Sequence, residues 1–399
     1  MLENLHFPEG FIWGASTAAH QIEGNNVNNN WWAREHAVAT DIKEPSGDAC
    51  DSYHRYKEDI SLLADSGLTM YRFSVEWARI EPEEGYFSRA ELLHYRRIVE
   101  FCWEQGVEPM ITLHHFTVPN WFAAQGGWRN PNAPNLFSRY VGFLQPLLDG
   151  VTWICTINEP NMVAMTQGGE TGEDMVASSL PEPNVDIAHT ISEAHHKARA
   201  LLKQDPAKKV GWSVAAQAFH AMPGCENETQ DYAYWRETFF FEQAVDDDWI
   251  GVQAYLRTFI GKHGPLPVPD DVEKTKNGWE YFPPALGIGV KTAWKLTGGK
   301  PVFVTENGIA TDNDSRRIDY TYGALASLLQ EMEGGVTVLG YLHWSLLDNY
   351  EWGSFSPTFG LVAVDRTTFE RLPKPSLAWL GKAARTGVVT ATERLGPDL

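Results

Sequence analysis

Thr152-Trp153-Ile154-Cys155-Thr156-Ile157-Asn158-Glu159-Pro160 reads as a buried β-strand that runs straight into a carboxylate. An ionisable side chain directly after an apolar strand is costly to desolvate unless something uses it. The arrangement recurs where Val302-Phe303-Val304-Thr305 leads into Glu306-Asn307-Gly308. Outward from these two, β-rich runs are found at residues 11–15, 69–74, 108–113, 152–158, 209–216, 249–255, 302–305 and 338–345. Amphipathic stretches of helical period lie between them, at 53–65, 89–105, 136–148, 187–204 and 320–333, with 283–296 and 376–384 later. Short strands alternating with longer helices are the pattern of a parallel sheet with crossover helices. Eight such strands predict an α/β protein with a (β/α)8 TIM barrel, one domain spanning residues 1–399. The competitor, a doubly wound open sheet, usually carries a Gly-rich phosphate turn after its first strand. The Gly-Gly pairs at 126, 168, 298 and 334 lack that pattern. No internal repeat, low-complexity tract or Pro-rich linker divides the chain, and the acidic stretch Gly168 to Asp174 is expected to be a mobile surface loop.

Composition bounds the partners. The 399 residues are 43% hydrophobic and 21% charged, enough for a large core. Lys+Arg number 32 against 52 Asp+Glu, a net charge of −20 that repels polyanions and anionic bilayers, so neither nucleic acid nor a membrane is an expected partner. The cysteines at 50, 102, 155 and 225 have no C-x-x-C spacing and are expected as reduced, buried thiols. The first ten residues lack a basic segment followed by an apolar one, and no apolar run approaches the roughly 18 residues of a membrane span, so the expected location is cytoplasmic. Sixteen Trp, 14 Tyr and 19 Phe admit two readings, bulky core filling or aromatic platforms for the apolar faces of sugars.

In a barrel of this kind the reactive groups sit just past the C-terminal ends of the strands. Glu159 and Glu306, ending the fourth and seventh strands, would face each other across the mouth, which is what a two-carboxylate glycoside hydrolase requires. Either glutamate alone is equally well an ordinary strand-end residue paired with an Arg. Gln21 after the first strand, Arg72 in the second, His114 and His115 after the third, Tyr255 after the sixth and Trp344 in the eighth add groups suited to sugars. Arg, Tyr and Asn beside a nucleophilic carboxylate would lower its pKa and orient it. His195-His196 fall on a helix outside the barrel with no H-E-x-x-H pattern and are read as structural or surface residues. Asp246-Asp247-Asp248 lack EF-hand spacing and are read as a solvated turn. No metal and no cofactor are expected.

The motifs together resemble the family 1 glycoside hydrolases, the β-glucosidase and β-galactosidase group, over nearly the whole chain. They are Phe7-Pro8-Glu9-Gly10-Phe11-Ile12-Trp13-Gly14-Ala15-Ser16 with Gln21-Ile22-Glu23-Gly24, Cys50-Asp51-Ser52-Tyr53-His54-Arg55-Tyr56, Tyr71-Arg72-Phe73-Ser74 and Thr156-Ile157-Asn158-Glu159-Pro160. Val304-Thr305-Glu306-Asn307-Gly308 and the segment from Trp344 to Trp352 complete the series. The resemblance implies a retaining β-glycosidase acting on a small-molecule or oligosaccharide β-glycoside, with Glu306 as nucleophile and Glu159 as general acid/base. It implies a sugar site of Gln21, His115, Asn158, Glu351 and Trp352 floored by Trp344, with Arg72 and Tyr255 flanking the nucleophile. Retention requires carboxyl groups roughly 5 to 5.5 Å apart.

Three positions depart from the family pattern. Gln253-Ala254-Tyr255 replaces Asn-Tyr-Tyr, Phe116-Thr117 replaces Trp-Asp after His115, and Asn161 replaces Trp after Asn-Glu-Pro. These bear on the preferred sugar and aglycone, and the chain's modest length for the family implies trimmed access loops and a more open mouth. The alternatives are a 6-phospho-β-glycosidase, a transglycosylating enzyme, and a non-catalytic sugar-binding barrel, which would lose one carboxylate.

Overall fold

Strand segments of five to eight residues, buried on both faces, close into one barrel in the computed structural model, which describes residues 3–166 and 180–391. They are β1 (Ile12–Ser16), β2 (Met70–Ser74), β3 (Glu108–Thr112), β4 (Trp153–Asn158), β5 (Lys209–Ala216), β6 (Ile250–Ala254), β7 (Val302–Glu306) and β8 (Val338–Trp344). Each pairs in parallel with its neighbours in sequence, and β8 closes on β1 through Tyr341 opposite Trp13 and Trp344 opposite Ser16. Burial on both faces explains why these strands read as near-continuous apolar runs. Every strand lies within one residue of its expected bounds.

In chain order the helices include α1 (Ala19–Ile22), α2 (Asn30–Glu35), α3 (Ser52–Ser66), α4 (Arg89–Glu104), α5 (Ala133–Phe143), α6 (Pro160–Thr166), α7 (Val185–Leu202), α8 (Ala285–Leu296), α9 (Asp314–Glu333) and α10 (Pro375–Thr386). The longer α3 to α5 and α7 to α10 follow the expected alternation, whereas the short α1, α2 and α6 were not expected and lie in the connections after β1 and β4. Starts are fixed by side-chain caps: Ser88 accepts from the Glu91 N–H, Asn184 from Ile187 and Asn313 from Arg316. Helix α9 therefore begins six residues before the periodic stretch starting at 320, because its polar first turn hides the pattern that the cap reveals. Helix α5 also starts early, with a Pro in its first turn, and ends at Phe143.

Met70, Met110, Cys155, Trp249, Phe303 and Leu342 form a separate apolar cluster at the N-terminal end of the strands, so the barrel is plugged at that end. The larger core lies between strands and helices. Among the described residues no helix is long and apolar enough to cross a membrane.

Two readings need correction. Cys225 is partly exposed, unlike the buried Cys50, Cys102 and Cys155, although all four thiols are free. Asp247 is not solvated: it is buried and takes hydrogen bonds from His195 Nε2 at 3.1 Å and an ion pair from Arg199. His195 has the structural role expected of it: it is likewise buried, its Nδ1 meeting Thr156 Oγ1 at 2.7 Å, so it pins α7 to β4. The stretch from Gly168 to Asp174 lies outside the described residues.

Candidate active site

The C-terminal ends of the strands open into a cavity of about 480 Å³. Gln21, His115, Asn158, Glu159, Tyr255, Glu306, Trp344, Glu351 and Trp352 all line it, and Arg72 lies directly beneath. These ten residues expected from the sequence are thus brought to one site; His114 is not, its ring being buried edge-on against Trp128 and Phe137 away from the cavity.

Glu306 closes β7, and its carboxylate takes three donors. Oε1 accepts from Arg72 Nη1 at 2.6 Å and Gln253 Nε2 at 2.8 Å, and Oε2 accepts from the Tyr255 hydroxyl at 2.7 Å. Asn307 Nδ2 donates to the Ala254 carbonyl at 2.7 Å, tying β7 to β6. Gly308 follows because a Cβ there would lie 2.0 Å from the Trp344 carbonyl oxygen. The Glu306-Asn307-Gly308 run is therefore dictated by what each residue must touch.

Glu159 follows β4 with a left-handed φ of +44°, unusual for a side chain of this size. Its N–H donates to the Ser213 carbonyl at 2.7 Å. Among the described residues its carboxyl has no hydrogen-bond partner, in contrast to Glu306. Burial and then the charge of Glu306 push the Glu159 pKa well above the usual carboxylate value. Burial also prevails at Glu306, so its pKa lies above the ordinary carboxylate value rather than below it. Arg72 and Tyr255 oppose that rise and keep it smaller than that of Glu159. The first proton the pair binds therefore resides on Glu159, and Glu306 is the carboxylate.

Between the two glutamates, Asn158 Oδ1 accepts from Arg72 Nη2 at 2.5 Å and Gln253 Nε2 at 2.8 Å. That leaves the Asn158 amide nitrogen facing His115 Nε2 at 3.2 Å, which accepts. Burial, reinforced by Arg72, holds His115 well below the ordinary histidine value, so its ring is neutral. On the opposite wall Gln21 Nε2 reaches Asn349 Oδ1 and the Tyr350 carbonyl at 2.9 Å and Glu351 Oε2 at 3.3 Å. Trp344 Nε1 donates to Glu351 Oε1 at 3.1 Å. Burial pushes the Glu351 pKa up to about 8. Gln21 Oε1 and His115 Nδ1 are buried and, among the described residues, have no hydrogen-bond partner. Such groups are satisfied by hydroxyls that donate and accept.

The departures acquire physical meaning here. Gln253, one methylene longer than the family's Asn, spans Asn158 and Glu306, a role its strand-end position hinted at but its residue type did not. Phe116 lines the cavity, whereas Thr117 turns away to donate to the buried Glu76. Asn161 faces the wall, its amide donating to the Ala215 and Arg236 carbonyls at 2.9 and 2.8 Å. Trp279, Phe359, Met162, Leu180, Gln217 and Lys276 also line the cavity and were not legible in the sequence. Apart from Met162 in α6, they come from irregular connections that carry no periodic signal.

Residues 3–252 and 254–387 match the family described as Glycosyl hydrolase family 1, the match passing over Gln253 alone. The chain is 29% identical to Beta-glucosidase A of Thermotoga maritima, over 95% of this chain and 98% of that one. The crystal structure of the β-glycosidase BGL167 superposes with a TM-score of 0.88 at 40% identity, covering 98% of this chain and all (100%) of that one. The β-glycosidase from Pyrococcus horikoshii gives 0.84 at 30% identity, covering 98% and 97%. The chain belongs to glycosyl hydrolase family 1. It is a β-glycosidase, a glycoside hydrolase acting on O-glycosyl bonds.

Proposed function

We propose that this enzyme is a retaining, β-glucosidase-like hydrolase of terminal β-D-glycosides of neutral sugars, with Glu306 as nucleophile and Glu159 as acid/base. The observation that carries this reading is the asymmetry of the two carboxyls: among the described residues, three donors on Glu306 and none on Glu159. A carboxylate held charged and aimed by fixed donors is suited to attack. A desolvated acid beside a negative charge is suited to give up a proton at the transition state.

Glu306 would attack C1 of the sugar as the C1–O bond to the aglycone breaks, and Glu159 would protonate the departing oxygen. Esterification removes the negative charge on Glu306, so the pKa of Glu159 falls and its carboxylate becomes a base. It would then take a proton from water, whose oxygen attacks C1 and releases Glu306. An alcohol in place of water would give transglycosylation by the same route.

Gln21, His115 and Asn158 supply complementary donors and acceptors for ring hydroxyls, Trp344 a floor, and Glu351 and Trp352 an outer edge. Beyond Glu159 the wall formed by Phe116, Met162, Leu180 and Ala215 is apolar and lies in the same cavity as Trp279. That wall supports an aryl or alkyl aglycone. The test is the anomeric proton spectrum of the first-formed sugar: the β-anomer is expected, and the α-anomer overturns the retaining assignment.

A further inference from the structure

Helix α1 carries His20 directly before the sugar-site residue Gln21, and these two consecutive side chains meet two consecutive residues of the mouth. Gln21 bonds Glu351, and the His20 ring lies parallel to Trp352, with centroids 5.8 Å apart and planes 12° apart. His20 does not line the cavity, and the mechanism does not use it. Its surroundings are nonetheless fully specified.

Asn29 caps α2, its Oδ1 accepting the Trp32 backbone N–H at 2.8 Å. A backbone N–H only donates, so the Asn29 amide is oriented with its nitrogen toward His20 Nδ1, 2.9 Å away. An amide nitrogen also only donates, so Nδ1 is an acceptor and the ring proton lies on Nε2, aimed at Glu35 Oε1 at 3.1 Å. The other Glu35 oxygen accepts from the Ser46 N–H and hydroxyl at 3.1 and 2.7 Å. Burial pushes the Glu35 carboxyl up, but the bonds from His20 and Ser46 prevail and hold it below its usual value. Both side chains are completely shielded, at 0% exposure. One capped helix of six residues thus fixes the tautomer and the plane of His20.

Trp352 needs such support, because its φ of +48° is a backbone conformation that a bulky residue holds only when its surroundings over-determine it. Trp31, also on α2, meets it edge-on at 5.1 Å, and Phe116 and His115 pack at 5.1 and 6.2 Å. Of these contacts only His20 and His115 lie parallel to the indole, and His115 lines the sugar cavity. His20 therefore backs the indole with a flat face from outside the cavity.

We propose that His20, fixed in one tautomer by Asn29 and Glu35, is the positioning residue for Trp352 and sets recognition of the sugar's outer edge, where a hydroxymethyl group distinguishes a hexose from a pentose. The inference rests on the reading that Trp352 caps that edge. The measurement is the ratio of kcat/KM for 4-nitrophenyl β-glucoside to that for the β-xyloside, which lacks the hydroxymethyl group. Trp352→Ala should lower the ratio roughly tenfold, the scale of one lost contact around a methylene. His20→Leu should lower it in the same direction, mainly through KM for the glucoside, and His20→Phe should recover part of it. The double variant His20→Leu/Trp352→Ala should be no worse than Trp352→Ala, as expected of residues acting through one another. An unchanged ratio in Trp352→Ala overturns the underlying site reading. An altered ratio in Trp352→Ala with wild-type ratios in both His20 variants overturns the role of His20 alone. The tautomer is checked in the unaltered enzyme by ¹⁵N NMR of the imidazole, assigned with His20→Phe. Nδ1 should be unprotonated and Nε2 protonated, and the reverse overturns the proposal however the variants fold.

Discussion

Arg72 and Glu306 form an ion pair of 2.6 Å with both side chains shut away from solvent, at 0% and 6% exposure. A buried pair like this is asymmetric in its consequences: removing one partner leaves the other charge uncompensated. Arg72 also donates to Asn158, so one guanidinium orients groups from two different strands.

Arg72→Met should therefore raise the pKa of Glu306. The acid limb of kcat/KM reports ionisation of the nucleophile in the free enzyme, so it should move to higher pH, with activity at its optimum falling roughly 10- to 100-fold. A pH–rate profile checks both. An acid limb at its wild-type position would mean that Arg72 does not govern that charge.

Gln253→Met keeps the length and removes the donor shared by Glu306 and Asn158. Loss of a hydrogen bond to a charged group is worth about 1.5–3 kcal/mol, or roughly 10- to 150-fold in kcat/KM. The acid limb should rise here as well, by less than in Arg72→Met, because a dipole replaces a full charge in the comparison. Equal shifts in the two variants would contradict this ordering.

In Glu159→Ala the loss should track the leaving group. Formation of the glycosyl-enzyme from a dinitrophenyl glycoside should be nearly spared, and that from an alkyl glycoside should fall about 10²- to 10⁴-fold. Pre-steady-state rates on the two substrates measure this directly. Uniform loss would remove the acid role from Glu159.

Glu351 yields two pH-dependent outcomes. With its pKa pushed up to about 8, the folded enzyme holds a proton there that the unfolded chain has released above about pH 4.5. The native state thus binds more protons between those values, and this group's contribution to stability falls as pH rises from about 4.5 to 8. Glu351→Gln should consequently gain on wild type with rising pH, by on the order of 1–3 kcal/mol at pH 8 relative to pH 5, read as the difference in Tm or denaturant midpoint. Discrimination against a 6-phospho-β-glucoside should also sharpen as Glu351 ionises, since a carboxylate and a phosphate about 4 Å apart repel by on the order of 4 kcal/mol per unit charge pair at an effective dielectric of 20. Glu351→Ser should weaken that discrimination and flatten its pH dependence. A wild-type preference for the phosphorylated substrate would contradict the neutral-sugar reading.

The barrel was legible because its strands are short and apolar on both faces, and because Glu159 and Glu306 each end one. An ionisable group in that position stands out against its own strand. Residues such as Trp279 and Leu180 were not legible, because irregular connections reach the cavity with no period to announce them. Asp247 was misjudged as solvated for a different reason. The helix carrying His195 does lie outside the barrel, but its inner face packs on β4, and the next acidic turn folds under it to complete a buried hydrogen-bonded pair. Gln253 was visible only as a departure from a pattern. Its reach to both Asn158 and Glu306 depends on side-chain geometry that spacing alone does not encode.

The central claim, that Glu306 is the nucleophile and Glu159 the acid, is tested most directly by Glu306→Ala in the presence of azide, using an activated β-glucoside. With the nucleophile gone and the acid intact, azide should enter from the face that Glu306 occupied, restoring turnover and giving the α-glucosyl azide. A β-glucosyl azide, or a variant that turns over at the wild-type rate without azide, would contradict the assignment.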